Sequence, residues 1–243
     1  MTKTAASLEA QWARVGVLFN CAPAGREPDL ERLLLETARG LGGNARLLPL
    51  VVTWLVEFNG FVAKHRLKRL AAAELEGEAS AGLGLLLDAA IGAGASAELA
   101  VARGVCRPLK AGRPLTEDLR ADGRLAGIAE RHASGLSRRW GLWTPDVVLK
   151  TDAVRPAAWL LSHNPGYAAR IIRKGDLRCS ILETLRRDMA GRARSESELT
   201  RLSGATRTAV RKALAALVLE GEVTVGERKE NERDHAVELR RAA

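Results

Sequence analysis

Hydrophobic residues recur through most of the chain at intervals of three and four, the spacing that places them on one face of an α-helix. Leu8, Trp12 and Val15 begin the series, and a proline-aspartate pair opens a second helix at about residue 30. Residues 47–58 have almost no polar face, so we expect this third helix to lie at the centre of the core. The pattern predicts a mainly α-helical protein.

The same pattern divides the chain into three parts. We expect residues 1–150 to form a helical domain, whose role the sequence does not identify. Residues 151–175 are predicted to be a basic connecting segment, in which Ile171 and Ile172 lie on the apolar side of a short helix. Residues 176–243 show three short helices followed by two strands, and are predicted to be a separate domain.

The last part of the chain contains start and stop signals for its three helices. Asp176 can cap the first helix, and Ser195 with Glu198 fits the S-x-x-E capping box of the second. A Ser-Gly turn follows, and the third helix is predicted from Arg207 to Leu219. Gly221 stands where a left-handed residue would end that helix.

Two stretches of alternating hydrophobic and polar residues follow the third helix and predict two antiparallel strands joined by a long polar loop. Helix, short helix, glycine turn, helix and β-hairpin is the element order of a winged helix-turn-helix. The chain resembles the DNA-binding domains of bacterial winged-helix transcription regulators, such as the MarR-like and GntR-like groups, over residues 198–214, ELTRLSGATRTAVRKAL. The resemblance covers about the last quarter of the chain.

The resemblance implies that the third helix enters the major groove of DNA. It puts Thr206 and Arg207 at the phosphate edge. It leaves Thr208, Arg211 and Lys212 as candidate base readers, since they lie away from the apolar stripe of this helix. The charge pattern agrees, because residues 199–219 include four basic side chains and no acidic one. The four are Arg201, Arg207, Arg211 and Lys212.

The predicted loop between the two strands, residues 227–234, departs from what a DNA-binding wing requires. It holds four acidic residues against three basic ones, Arg228, Lys229 and Arg233, which are themselves candidate DNA contacts. A wing that binds phosphates should be basic. Two interpretations therefore stay open for this hairpin: a contact with DNA, or a contact with a partner protein.

The net charge of +9 is concentrated in the middle of the chain, since residues 101–175 alone carry a net charge of +8. A basic surface of this kind is typical of proteins that bind polyanions. Arg170, Arg173 and Lys174 share one helix face just before the last domain, where they would continue its phosphate-binding surface. An ordinary solvated helix face explains these three residues equally well.

The sequence shows no pattern of a membrane or secretory protein. Its longest apolar runs are well short of a membrane span, and no apolar leader follows the first residues. Cys21, Cys106 and Cys179 form no CxxC pair, and the four histidines have no metal-ligand spacing. We therefore expect a cytoplasmic protein that uses no metal and no cofactor.

Three weaker signals have structural explanations that we favour. Residues 92–97 match a relaxed dinucleotide fingerprint, but a helix precedes them, which indicates a helix-helix turn. Trp140 and Trp143 stand beside two arginines, as in single-strand binders, yet are better explained as core anchors. Asp146 with Glu227 resembles part of a metal-dependent nuclease core, but the two lie far apart in the sequence.

These observations favour a sequence-specific, double-stranded DNA-binding transcriptional regulator that is not an enzyme. A homodimer is expected, because paired half-sites multiply modest affinities. An antitoxin-like repressor of its own operon is one form of this hypothesis. The alternative is a non-catalytic protein-protein interaction subunit that uses its winged helix for docking.

Overall fold

The computed structural model describes residues 6–226 and 235–240. Over these residues the chain is mainly α-helical, so the predicted fold class is confirmed at that level. The strands are short and form a parallel pair and, near the C-terminus, a three-stranded antiparallel sheet. In the described part of the chain no helix has both the length and the apolar character needed to cross a bilayer.

The N-terminal unit, residues 6–175, is built from helices and one pair of parallel strands. Its helices are α1 (Leu8–Arg14), α2 (Leu30–Gly40), α3 (Leu47–Phe58), α4 (Lys64–Glu74), α5 (Gly77–Gly92), α6 (Ala100–Arg103), α7 (Glu117–Arg120), α8 (Gly123–Arg131), α9 (Gly135–Trp140), α10 (Ala157–His163) and α11 (Ala168–Ile172). Its strands are β1 (Arg113–Pro114) and β2 (Leu142–Trp143).

The C-terminal module, residues 176–226 and 235–240, alternates helices with the strands of the antiparallel sheet. Its elements are α12 (Leu177–Glu183), β3 (Arg192–Ala193), α13 (Glu196–Ser203), α14 (Arg207–Leu219), β4 (Val223–Val225) and β5 (Val237–Leu239). In the sheet, β5 lies between β3 and β4. The two strands predicted from the alternating pattern are β4 and β5. Strand β3 was not predicted, because two residues are too few to show an alternating pattern.

The core of the N-terminal unit centres on α3, as its lack of a polar face predicted. Trp54 of α3 meets Trp12 of α1 edge to face, with 5.5 Å between ring centroids. Both indole N–H groups are satisfied, by the carbonyl of Val15 for Trp54 and by the hydroxyl of Thr37 for Trp12, each at 2.8 Å. Helix α5 packs on α3 and also on α2, and nine of the twelve residues of α3 are buried, so this helix lies in the core as expected.

The C-terminal module has a hydrophobic core of its own. Ile181 and Leu185, from α12 and the turn after it, meet the inward faces of α13, α14 and the sheet. The predicted stripe of α14, Val210, Leu214 and Leu217, is buried there. Two separate cores mean that the module and the N-terminal unit are each held together by their own apolar contacts.

The segment predicted as a connector, residues 151–175, packs on the first core through Leu160 and Tyr167. One expectation for this segment is wrong: Ile171 and Ile172 are exposed rather than on an apolar face. The physical reason is the orientation of α11, which turns Arg170 inward to acidic partners and so directs the two isoleucines to the surface.

Six charged side chains join the two units through what we call the buried ion network: Asp29, Glu31, Arg66, Arg170, Glu183 and Asp188. Glu31 of α2 is completely buried between two guanidinium groups. Its carboxylate lies 2.8 Å from Nη1 of Arg66 in α4 and 2.7 Å from Nη1 of Arg170 in α11, and it also accepts from the backbone N–H of Ala63. Helices α2, α4 and α11 therefore meet at one carboxylate.

The same two arginines extend from the N-terminal unit into the C-terminal module. Arg66 donates two hydrogen bonds to Asp188, at 2.8 and 2.9 Å, and Arg170 donates one to Glu183 at 2.5 Å. Arg66 also holds both oxygens of Asp29, at 2.6 and 2.8 Å. Burial opposes the charge on each arginine, but the surrounding carboxylates outweigh it and raise the pKa of both guanidinium groups. The two arginines therefore stay charged, and their ion pairs fix the module to the unit.

Replacing Glu31 with glutamine should destabilise the protein strongly. The substitution keeps the shape of the side chain but removes the charge between two buried arginines, and breaking one partner of such a pair costs about 3 kcal/mol or more. Urea unfolding followed by tryptophan fluorescence measures the effect. Glu36→Gln is the matched control, because Glu36 lies on the same helix and is exposed. Equal urea midpoints for the two variants would contradict the role given to Glu31.

Acid should weaken the network through Asp29 and Glu183. Burial disfavours their charged forms, but Arg66 and Arg170 outweigh it, so both pKa values are lowered. Such carboxyls stabilise the fold fully above their unfolded pKa of about 4 and lose this contribution as pH falls through the folded pKa. The free energy of unfolding should therefore differ between the wild type and Asp29→Asn/Glu183→Gln above about pH 5. The difference should shrink as pH falls through the unfolded pKa and vanish below the lowered folded pKa values. A pH-independent difference in urea unfolding would refute this.

Candidate nucleic-acid interface

Helix α13 begins at the capping box that the sequence predicted. The hydroxyl of Ser195 accepts a hydrogen bond from the backbone N–H of Glu198 at 3.0 Å. In a standard capping box the carboxylate of Glu198 would accept a hydrogen bond from the backbone N–H of Ser195. Here it accepts from the N–H of Arg194 instead. The N-terminus of α13 is nevertheless satisfied by side chains on both sides, which sets where the helix starts.

The turn between α13 and α14 depends on a glycine and a threonine. Gly204 ends α13 with φ of +70°, a conformation that residues with a Cβ rarely adopt. Thr206 then caps α14, since its hydroxyl accepts from the N–H of Ala209 at 3.3 Å. These two residues fix the angle between the helices and the position of the N-terminus of α14.

The outer face of α14 presents the polar residues that the sequence singled out. Arg207, Thr208, Arg211 and Lys212 are all exposed, opposite the buried stripe of the helix. Arg201, in the last turn of α13, is exposed as well. The structure thus brings the candidate residues of α13 and α14 to the surface of two consecutive helices.

An acidic residue that sequence reasoning overlooked lies at this surface. Nε of Arg211 is 2.9 Å from a carboxylate oxygen of Glu196, in the first turn of α13. The side chain of Arg211 is 57% exposed and that of Glu196 only 13% exposed. Arg211 is therefore bound through Nε and otherwise largely open to solvent. Glu196 stands three residues before the acid-free stretch, and nothing local in the sequence indicates that it faces α14. Lys212, by contrast, has no ion-pair partner among residues 6–226 and 235–240.

The basic face expected just before the module is not present as predicted. Arg170 is 1% exposed and belongs to the buried ion network. Arg173 is also buried, because its Nη2 lies 2.8 Å from both Glu220 and Glu222. Only Lys174 of the three is exposed. The prediction that Arg170 and Arg173 contact phosphate is therefore wrong, because carboxylates distant in the sequence bind both guanidinium groups in the interior.

The predicted wing lies outside the described residues. Arg228, Lys229 and Arg233, together with the acids of residues 227–234, belong to that part of the chain. The strands on either side of it pair in the antiparallel register, from Val223 opposite Leu239 to Val225 opposite Val237. The hairpin is thus present up to the base of the loop.

Helix α4 of the N-terminal unit packs against the turn between α13 and α14. A Cβ placed on Gly204 would lie 3.1 Å from the carbonyl oxygen of His65. The backbone N–H of His65 donates to the hydroxyl of Ser180 in α12, at 3.3 Å, and Arg69 binds Asp188 at 2.5 Å. Helix α13 and the turn that follows it therefore lie beside α4, a contact between distant segments that no sequence pattern predicts.

The dinucleotide-like turn and Trp140 fall where their structural explanations predicted, whereas Trp143 is only half-buried and lies outside the hydrophobic cluster that contains α3. Trp140 is buried against Gly84 and donates its indole N–H to Asp88 at 2.9 Å, as a core anchor should. Residues 92–97 form the turn after α5, with Gly94 at φ of +106°. Asp146 is exposed, and its suggested partner Glu227 lies outside the described residues; within the described residues no three His, Cys, Asp or Glu side chains are grouped as a metal site would require.

Comparisons of the chain with protein-family models, with curated proteins and with solved structures find no match. The interpretation of the surface formed by α13 and α14 therefore depends on its own geometry and charge.

Proposed function

We propose that the C-terminal module is a winged helix-turn-helix that binds double-stranded DNA, with α14 in the major groove. The observation that carries the proposal is the outer face of α14, where Arg207, Thr208, Arg211 and Lys212 are exposed together. The element order agrees with it, since three helices are followed by the β4–β5 hairpin. An α-helix fits the major groove, where Arg and Lys side chains bind guanine and phosphate oxygens.

The proposed contacts divide by their chemistry. Thr206 and Arg207, at the N-terminus of α14, approach the phosphates, where backbone N–H groups and positive charge both favour an anion. Thr208, Arg211 and Lys212 face the base edges. Arg201 adds a phosphate contact from α13. Neutralising phosphates releases condensed counterions, so this set predicts binding that weakens steeply with salt.

We extend the proposal to a transcriptional regulator that binds its sites as a homodimer. One recognition helix reads only a few base pairs, and two copies on paired half-sites multiply modest affinities. A DNA-binding role agrees with the cytoplasmic location expected from the sequence.

A second candidate function is docking of another protein by the same module. The observation that favours it is at the far end of α14, where Leu219 is 90% exposed and Val218 43% exposed. Exposed aliphatic side chains at a helix end are more typical of a protein contact than of a DNA contact. This function requires no DNA affinity, so the next experiment separates the two.

Substituting Arg211→Ala/Lys212→Ala should reduce affinity for a random DNA duplex by about tenfold or more at low salt. On a random duplex Arg211 and Lys212 have no cognate base to read and contact phosphates instead. Each cation lost from a phosphate lowers the slope of log affinity against log salt by about 1, so the double variant should lower it by about 2. Fluorescence anisotropy of a labelled duplex at several salt concentrations measures both quantities.

The matched control is Arg124→Ala/Arg131→Ala, which removes the same charge from the exposed surface of α8. It should leave affinity within about twofold, because these cations are not on the proposed interface. Equal losses in the two double variants would refute α14 as the DNA-binding helix. Absence of DNA binding by the wild type would favour the docking function.

Substituting Glu196→Gln should increase DNA affinity. The carboxylate of Glu196 competes with phosphate for Arg211, and an exposed ion pair of this kind is worth up to about 1 kcal/mol, so a gain of about two- to fivefold is expected. The same anisotropy titration measures it. Glu130→Gln removes an exposed acid from α8 as the control. A loss of affinity in Glu196→Gln would mean that the acid orients Arg211 rather than competing for it.

A further inference from the structure

The apolar stripe of α8 does not reach the main core of the protein. Leu125, Ile128, Ala129 and His132 follow one another at the helical spacing that places them on a single face. Yet Ala129 is the only buried residue of α8, and Leu125 is 39% exposed. The three apolar residues of this stripe are not part of the hydrophobic cluster that contains α3. An amphipathic helix thus presents its apolar side to something other than the core.

What this face borders is a cavity of about 400 Å³. Helix α8 lines this cavity together with Leu119 of α7. The lining also includes Leu115, Trp143 and Pro145, which follow or belong to the β1–β2 pair. Small-molecule pockets typically have about 300 to 1,000 Å³ and are lined mainly by apolar and aromatic side chains. Size and lining both fit a small organic ligand.

The lining of this cavity has no Asp, Glu, Lys or Arg side chain, although charged residues make up 28% of the chain. Its polar side chains are Thr116, Thr144 and His132. Thr116 precedes α7, where a threonine would ordinarily cap the helix, but its hydroxyl makes no cap hydrogen bond there. That hydroxyl can bind one polar group of a ligand. A charged ligand, however, would lose its hydration and find no opposite charge.

We propose that this cavity binds an uncharged, mainly apolar small molecule that carries one hydrogen-bonding group. The apolar body packs between the α8 stripe and Trp143, and the polar group meets Thr116 or His132. The site lies on the N-terminal unit and shares no residue with the face of α14, so the inference stands apart from the proposed function.

The test compares two probes of nearly equal shape, 1-naphthol and 1-naphthoate, by isothermal titration calorimetry on the full chain at neutral pH. The naphthol is neutral there and has one hydroxyl, whereas the naphthoate is an anion. We expect saturable one-to-one binding of 1-naphthol, at least about tenfold tighter than that of 1-naphthoate. This comparison is a strict test, because a chain with a net charge of +9 would bind the anion more tightly than the neutral probe at any nonspecific site.

Two substitutions locate the binding. Ala129→Phe fills the cavity, and Leu125→Glu places a charge at a partly exposed position on its rim, where folding should tolerate it. Each should weaken 1-naphthol binding by about tenfold or more. Leu219→Ser, which removes an exposed apolar side chain far along the sequence in α14, is the control and should leave binding unchanged.

Three results would overturn the proposal. One is the absence of saturable 1-naphthol binding; another is equal affinity for the anion. The third is binding that survives Leu125→Glu in a variant whose circular dichroism shows the native helix content. Binding lost in Leu219→Ser but kept in Leu125→Glu would instead place the probe on the apolar end of α14, the surface considered for protein docking.

Discussion

Burial of the Glu31 carboxylate between Arg66 and Arg170 is the constraint on which the arrangement of the two units depends. A guanidinium group cannot leave water without a counter-charge and hydrogen bonds, so these arginines can be buried only if acids meet them from several elements. Glu31 supplies the charge within the N-terminal unit. Asp188 and Glu183 supply it from the C-terminal module. The position of the module is therefore set by these buried ion pairs as much as by apolar contact.

This arrangement also places the turn between α13 and α14 beside α4, with Gly204 against the backbone of His65. A Cβ is not accommodated well at that point, because the residue has a positive φ and a close neighbour. The orientation of α14 relative to the N-terminal unit is thus restricted by the turn itself. In the proposed complex with DNA, the N-terminal unit would follow α14 onto the duplex as one body, so its exposed basic surface would add to the long-range attraction.

Local signals were sufficient for much of the fold, and distant pairings account for what they missed. The caps at Asp176, Ser195 and Thr206 were predictable, because each depends on a backbone N–H three residues away. Burial of Arg170 was not, since its partner Glu31 is 139 residues away in sequence. A basic helix face appears the same in sequence whether its cations meet solvent, phosphate or a buried acid. The same limit applies to Glu196, whose contact with α14 depends on how the two helices cross.

The pairing of Arg211 with Glu196 raises the question of whether this arginine is free to bind DNA. An exposed ion pair contributes only about 0.2 to 1 kcal/mol, because water screens both charges. A bidentate contact between arginine and guanine contributes about 1 to 3 kcal/mol of discrimination. Replacing the ion pair with Glu196 by a contact to guanine therefore favours the DNA complex wherever a guanine is correctly placed. At other sequences the replacement adds little binding free energy. An acid beside a reading arginine thus raises the threshold for nonspecific contacts, and in the proposed function Glu196 would make Arg211 more selective.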